Sequence, residues 1–160
     1  MPKKTQPKKT QLKPNVSAPV DTLFLHPMGA VEGFTFDRSV AAVFPDMIQR
    51  SVPGYSTVVA ISGLLAQRFA QPGTQLYDLG CSLGATSFSM AQAGTQDCEL
   101  IAVDSSKAML DQFSVTLSEQ NLPMPITLIH ADINTIKIER ASVVALNYTL
   151  QFVAIEQRVK

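Results

Sequence analysis

Tyr77-Asp78-Leu79-Gly80-Cys81-Ser82-Leu83-Gly84-Ala85-Thr86 decides how this chain folds. It reads as a strand ending in an acidic residue, then a glycine-bearing turn, then the start of a helix. A turn of that kind lets a nucleotide-like ligand lie against bare backbone. Two further acids, Asp104 and Asp132, follow at matching places, each just after a short apolar run. Three such strand ends predict one edge of a parallel sheet, arranged to hold an adenosine compound.

Working outward, strands alternate with helical segments. Residues 75–79, 99–103, 126–130 and 142–146 read as strands, and 85–92 and 106–120 as helices. Met109, Leu110, Phe113 and Leu117 form the inward stripe of the second helix, with Ser105 or Ser106 as its cap. Upstream, residues 37–49 carry Val40, Ala41, Phe44, Met47 and Ile48 at helical spacing, and Pro45 predicts either a start or a kink there. A further helix is expected over 57–69. Ser56 would be its cap, and Val58, Ile61, Leu64, Leu65 and Phe69 its buried face. Residues 151–160 read as the opening of another helix. Strands joined through helices imply right-handed crossovers and an α/β, Rossmann-like parallel sheet.

The chain has 160 residues, one domain by size, and zero formal net charge. That zero conceals an asymmetry. Residues 1–20 hold five lysines, no acid, and Pro-Lys-Lys-Thr-Gln twice in succession. This composition cannot bury enough apolar surface to offset ordering entropy, so 1–20 reads as a disordered basic tail and order begins near Asp21. The remainder carries eight basic and thirteen acidic residues. An acidic body argues against a broad nucleic-acid face. Cys81 and Cys98 stand seventeen apart, which is neither metal-ligand spacing nor a disulfide framework, and His26 and His130 lack partners at metal spacing. A reducing cytoplasm is the simplest compartment. No apolar run reaches the ~18–20 residues of a membrane helix.

The glycines have a physical task. Gly80 and Gly84 remove side chains where a ligand would approach the main chain, and the N–H groups at the following helix start favour a polar or anionic ligand group. The Asp-x-Gly-x-x-x-Gly spacing differs from the Gly-x-Gly-x-x-Gly of dinucleotide sites. Asp104 could accept from ribose hydroxyls, or could cap a helix; Asp132 could accept from an adenine amino group, or could serve a turn. Asn147 ends the fourth strand, either in the cleft or as a turn residue. Tyr55 follows a Pro-Gly turn from which its ring could close over a ligand. Cys81 could have its pKa lowered by the helix start, although packing against the ligand is the favoured reading. Asp97-Cys98 reads as a surface turn.

Four stretches carry a closer likeness: Phe34-Thr35-Phe36-Asp37, the run Val43-Phe44-Pro45-Asp46-Met47-Ile48-Gln49-Arg50-Ser51-Val52-Pro53-Gly54-Tyr55, the segment from Tyr77 to Ala85, and Asn147-Tyr148-Thr149-Leu150-Gln151-Phe152. Across residues 21–157 the chain resembles the N-terminal two-thirds of carboxy-S-adenosyl-L-methionine synthases, a family of the class I methyltransferase-like fold. The resemblance implies transfer of a carboxyl group from prephenate to the methyl carbon of S-adenosyl-L-methionine, releasing phenylpyruvate. It also implies a cytoplasmic homodimer whose product serves a tRNA carboxymethyltransferase acting on wobble uridine, with no metal, no membrane and no direct nucleic-acid contact. By position it assigns Tyr55, Gly80, Cys81 and Ser82 to the methionine part, Asp104 and Ser105 to the ribose, and Asp132 and Ile133 to adenine. Asn147 falls beside the transferred carboxyl group. The family usually has asparagine where Ser105 stands, and it pins the carboxylate with an arginine from its C-terminal third.

The 142–146 strand is apolar on both faces, as an interior parallel strand would be. In a sheet of this kind a fifth strand would be its neighbour, and the expectation is therefore a truncated form of a longer domain, with four strands present. The alternatives are an ordinary class I methyltransferase and an inactive fragment that only binds S-adenosyl-L-methionine.

Overall fold

The computed structural model describes residues 35–94 and 97–158. The expected basic tail at 1–20, the start of order near Asp21, and Phe34 lie outside the described residues.

Helix α1 spans Arg38–Ser51. Asp37 starts it, its carboxylate accepting from the amides of Ser39 at 2.8 Å and Val40 at 3.0 Å, which satisfies two of the donors a helix start leaves open. Pro45 lies inside the helix, which runs through it instead of starting there. Val40, Ala41 and Phe44 bury against Met109 of a later helix.

Helix α2 spans Tyr55–Phe69 and starts two residues earlier than the sequence suggests. Gly54, at φ +76°, supplies a left-handed turn that Ser56 could not. The buried side also differs from expectation. Gly63 and Ala66 are the buried residues, while Ile61, Leu64, Leu65 and Phe69 are all about half exposed or more. The cause is the close approach of α2 to the helix after the glycine turn: a Cβ on Gly63 would come within 2.8 Å of the Ser89 carbonyl oxygen. Small residues therefore set this contact, and the bulky ones turn outward.

The sheet then builds as expected. Strand β1 is Gln75–Leu79, helix α3 Ala85–Ala93, strand β2 Glu99–Asp104, helix α4 Lys107–Ser118, strand β3 Ile126–His130 and strand β4 Ala141–Ala145. All pairings are parallel in the order β3-β2-β1-β4. The inner strands β1 and β2 are buried nearly throughout. On one face Leu76, Leu100, Ala102, Met90 and Phe113 form the main core, which Cys98 also joins, so Cys98 is no surface residue. On the other, Tyr77, Leu79, Ile101 and Val103 pack together.

With four strands and no fifth among the described residues, β4 is an edge strand of this sheet, as expected, and its apolar Val144 is 42% exposed. One expectation fails toward the end. Residues 150–157 form two single 3₁₀ turns, Leu150–Phe152 and Ile155–Gln157, and no α-helix. Between them Val153 and Ala154 are extended, and the Arg158 Nε donates to the Val153 carbonyl at 2.9 Å, which holds the break. No helix among the described residues is long and apolar enough to cross a membrane.

Because all four strands point the same way, their C-terminal tips share one edge. The segments after Leu79, Asp104, His130 and Ala145 gather there.

Candidate functional site

A cleft of about 560 Å³ opens along that edge. Tyr55, Gly80, Cys81, Ser82, Asp104, Ser105, Asp132, Ile133 and Asn147 all line it, so the tertiary fold brings together every residue that the resemblance assigned to the site, while Asp78 and Gly84 are not in its lining.

The glycine turn is held from β2. The amides of Gly80 and Cys81 donate to the Val103 carbonyl at 2.8 and 3.0 Å, and the Ser82 amide donates to Asp104 Oδ2 at 2.8 Å. These three donors are thus spent on the protein. The glycines also serve packing. Gly80 and Gly84 have φ of +82° and +85°, and a Cβ on them would collide with the Thr149 side chain and the Phe113 ring respectively. Close protein neighbours thus require both glycines, independently of any ligand.

Asp78 lies beneath this turn and not in the cleft. It is 1% exposed and accepts from the Ser87 hydroxyl at 2.6 Å. Burial pushes its pKa up to about 6, against the opposing effect of the Ser87 bonds. Asp104 sits at the cleft wall. Its Oδ1 accepts from the Ser106 amide at 2.8 Å, while Ser106 itself caps α4. Asp104 is therefore not the helix cap; it clamps two turns together and keeps spare lone pairs for hydroxyl donors. Next to it, the Ser105 carbonyl lies 3.0 Å from His130 Nε2. No role was assigned to His130 from spacing, because a support for backbone leaves no motif.

Asp132 opens a 3₁₀ turn over Ile133–Thr135, its Oδ1 accepting from the Asn134 amide at 2.9 Å and the Asn134 Nδ2 at 2.8 Å. It is a turn residue and a cleft residue at once. Asn147 Nδ2 donates to Ser62 Oγ at 2.9 Å and Thr86 Oγ1 at 3.1 Å. The Ser62 hydroxyl already donates to the Val58 carbonyl at 2.9 Å, so its oxygen can only accept from Asn147. The amide donors of Asn147 are used, and what it can offer a ligand is a carbonyl oxygen.

Cys81 is 4% exposed, and burial first, then the charges of Asp78 and Asp104, push its thiol pKa up. The lowered pKa considered from sequence is overturned, and Cys81 packs as a neutral thiol. Tyr55, the first residue of α2, lies with its ring centroid 6.0 Å from that of Tyr148. Tyr148, Thr149, Thr86, Phe36 and Phe152 also line the cleft. Sequence reading assigned them no role, although the Asn147–Phe152 run was the signal that could have flagged three of them. Among the described residues no group of His, Cys, Asp or Glu could hold a metal ion.

Comparison with known proteins agrees with this fold. Residues 76–160 match the family described as methyltransferase domain. The chain is 52% identical over 139 residues to the carboxy-S-adenosyl-L-methionine synthase of Enterobacter sp., covering 86% of this chain and 56% of that protein. It is 52% identical over 141 residues to the synthase of the same name from Vibrio cholerae, covering 88% and 57%. The chain thus spans a little over half the length of the curated relatives it matches, less than the two-thirds expected. Among solved structures it superposes on a Methanococcus maripaludis protein described as an S-adenosyl-L-methionine-dependent methyltransferase. The TM-score is 0.61 at 22% identity, with 80% of this chain and 57% of that one covered, a likeness of fold.

Proposed function

The chain belongs to the methyltransferase domain family, and we propose that its cleft takes S-adenosyl-L-methionine as substrate of a carboxy-S-adenosyl-L-methionine synthase. The observation that carries this reading is the charge of the cleft. Asp104 and Asp132 line it, and no lysine, arginine or histidine does among the described residues. A dinucleotide diphosphate would meet carboxylates there, whereas a sulfonium nucleoside brings the complementary charge. The 52% identity to two named synthases supports the more specific activity.

In this reading Asp104 accepts from the ribose hydroxyls beside the Ser105 backbone, and Asp132 and Ile133 frame adenine. The backbone at Gly80, Cys81 and Ser82, with Tyr55, borders the methionine part. Asn147 offers its carbonyl oxygen to the ammonium or to the polarised methyl hydrogens; its spent donors fit this better than a direct contact with the new carboxylate. The sulfonium acidifies its methyl group. Prephenate loses carbon dioxide and its ring hydroxyl as it aromatises to phenylpyruvate. The methyl proton leaves with that hydroxyl as water, and the methyl carbon takes up the carbon dioxide. The product would then serve a tRNA carboxymethyltransferase, with the synthase working as a cytoplasmic homodimer.

The test is incubation of the purified chain with S-adenosyl-L-methionine and prephenate, followed by mass spectrometry. A product heavier by one carboxyl group, dependent on prephenate, supports the reading. Transfer of a methyl group to some acceptor without prephenate would point to an ordinary methyltransferase. One observation favours a second reading, binding without turnover. Prephenate is a dicarboxylate, and the described lining of the cleft has no cation to pair with it.

A further inference from the structure

Tyr148 has φ +59°. A bulky residue in left-handed backbone is an outlier that persists only where its surroundings over-determine it. Both neighbours are anchored. Asn147 is tied to Ser62 and Thr86. The Thr149 hydroxyl donates to the Leu79 carbonyl at 2.8 Å, and its side chain fills the space that Gly80 leaves open. Between these two anchors the Tyr148 ring lies beside Tyr55 with 35° between the planes. Tyr55 is placed independently, by the left-handed turn at Gly54.

Both rings line the cleft. Tyr148 follows β4 and Tyr55 lies beside it, while Asp104 ends β2 and Asp132 follows β3, on the far side of β1. A nucleoside held at the acidic end thus extends its sulfur toward the rings. The buried Asp78 lies near enough to act on the Tyr55 hydroxyl, whose pKa is raised by burial first and then by Asp78 and Tyr148. The ring is a neutral phenol.

We propose that Tyr148, paired with Tyr55, is a specificity-determining residue that reads the positive charge of the ligand, its ring face attracting a sulfonium and discriminating against the neutral thioether. The inference rests on the reading of the cleft as an S-adenosyl-L-methionine site. A cation within ~6 Å of a ring centroid is attracted by the ring quadrupole, and the anchoring of residues 147 and 149 fixes the ring before a ligand arrives.

The experiment is calorimetric titration of the full chain with S-adenosyl-L-methionine and with S-adenosylhomocysteine, for the native protein, Tyr148→Phe and Tyr148→Leu. Leucine still packs against a methyl group but has no ring face. The expected result is native preference for the sulfonium, kept in Tyr148→Phe and reduced on the order of tenfold in Tyr148→Leu. Thermal melts of both variants check that each is folded. Equal binding of the two ligands by the native chain, or an unchanged preference in a folded Tyr148→Leu, overturns the proposal and leaves the site reading standing. If the leucine variant does not fold, the native preference and its retention in Tyr148→Phe carry the test, and loss of preference in a folded Tyr148→Phe counts against it. Failure of the native chain to bind either ligand overturns both the proposal and the site reading.

Discussion

Asp104 Oδ2 accepts the Ser82 amide at 2.8 Å, joining the end of β2 to the glycine turn that follows β1. The bond crosses between neighbouring strands, so the turn keeps its shape only while the sheet is assembled. It also orients the carboxylate that faces the cleft. Shape of the turn and placement of the acid are one interaction.

Replacing that acid should therefore damage both. In Asp104→Asn the amide NH₂ is set against the N–H of either Ser82 or Ser106, and a buried-edge donor is left facing a donor. Urea unfolding should show a loss of about 1–3 kcal/mol, and S-adenosyl-L-methionine binding by calorimetry should weaken by about tenfold or more. Binding unchanged within error would remove Asp104 from the site.

Gly84 and Gly73 make a controlled pair. Both have positive φ, +85° and +75°, but a Cβ meets the Phe113 ring at Gly84 and nothing within 4 Å at Gly73. Gly73→Ala should cost about 1–2 kcal/mol through backbone strain alone, and Gly84→Ala about 2–4 kcal/mol, since overpacking adds to strain. Equal losses for both would mean that the Phe113 contact yields freely.

Stability should fall as pH rises between about 4 and 6. The Asp78 carboxyl is raised from 3.8 to about 6 in the fold. In that window the unfolded chain releases this proton while the folded chain keeps it, so deprotonation favours unfolding. The loss amounts to about 3 kcal/mol at most and levels off above the folded pKa. Denaturant melts across pH 4–8 should show the decline in the native chain and its absence in Asp78→Asn.

Ser62→Ala and Thr86→Val each remove one acceptor of the Asn147 amide. Each should destabilise by about 1 kcal/mol, and the double variant should depart from additivity because both bonds share one nitrogen. A double-mutant cycle in urea reads the coupling; strict additivity would show that Asn147 is not held as one unit.

Much of this architecture is legible along the chain. The runs at 75–79, 99–103 and 126–130 are strands within a residue of their expected bounds. The inner two are nearly continuous in burial, as parallel strands covered on both faces must be, while 126–130 lies at an edge of this sheet. The acids after them fall at one edge because parallel strands share direction. What misleads is α2, where Ile61, Leu64, Leu65 and Phe69 look like a core stripe. Periodicity reports that a helix has an apolar side, but which side is covered depends on the neighbour, and here Gly63 and Ala66 make the closer fit. Tyr148 and Thr86 were likewise given no role, because their importance comes from hydrogen bonds and rings across the fold.

The order of residues alone determined the alternation of strands and helices, the shared edge of Asp78, Asp104 and Asp132, and a glycine-bearing turn between the first strand and its helix. Local backbone preference and hydrophobic patterning act over a few residues, and those are written in the chain. Only the assembled molecule decided that Asp78 is buried while Asp104 and Asp132 face the cleft, that Asn147 spends its donors on Ser62 and Thr86, and that Tyr148 meets Tyr55. Those outcomes depend on distances between groups remote in sequence, which exist only once the strands have paired and the helices have packed.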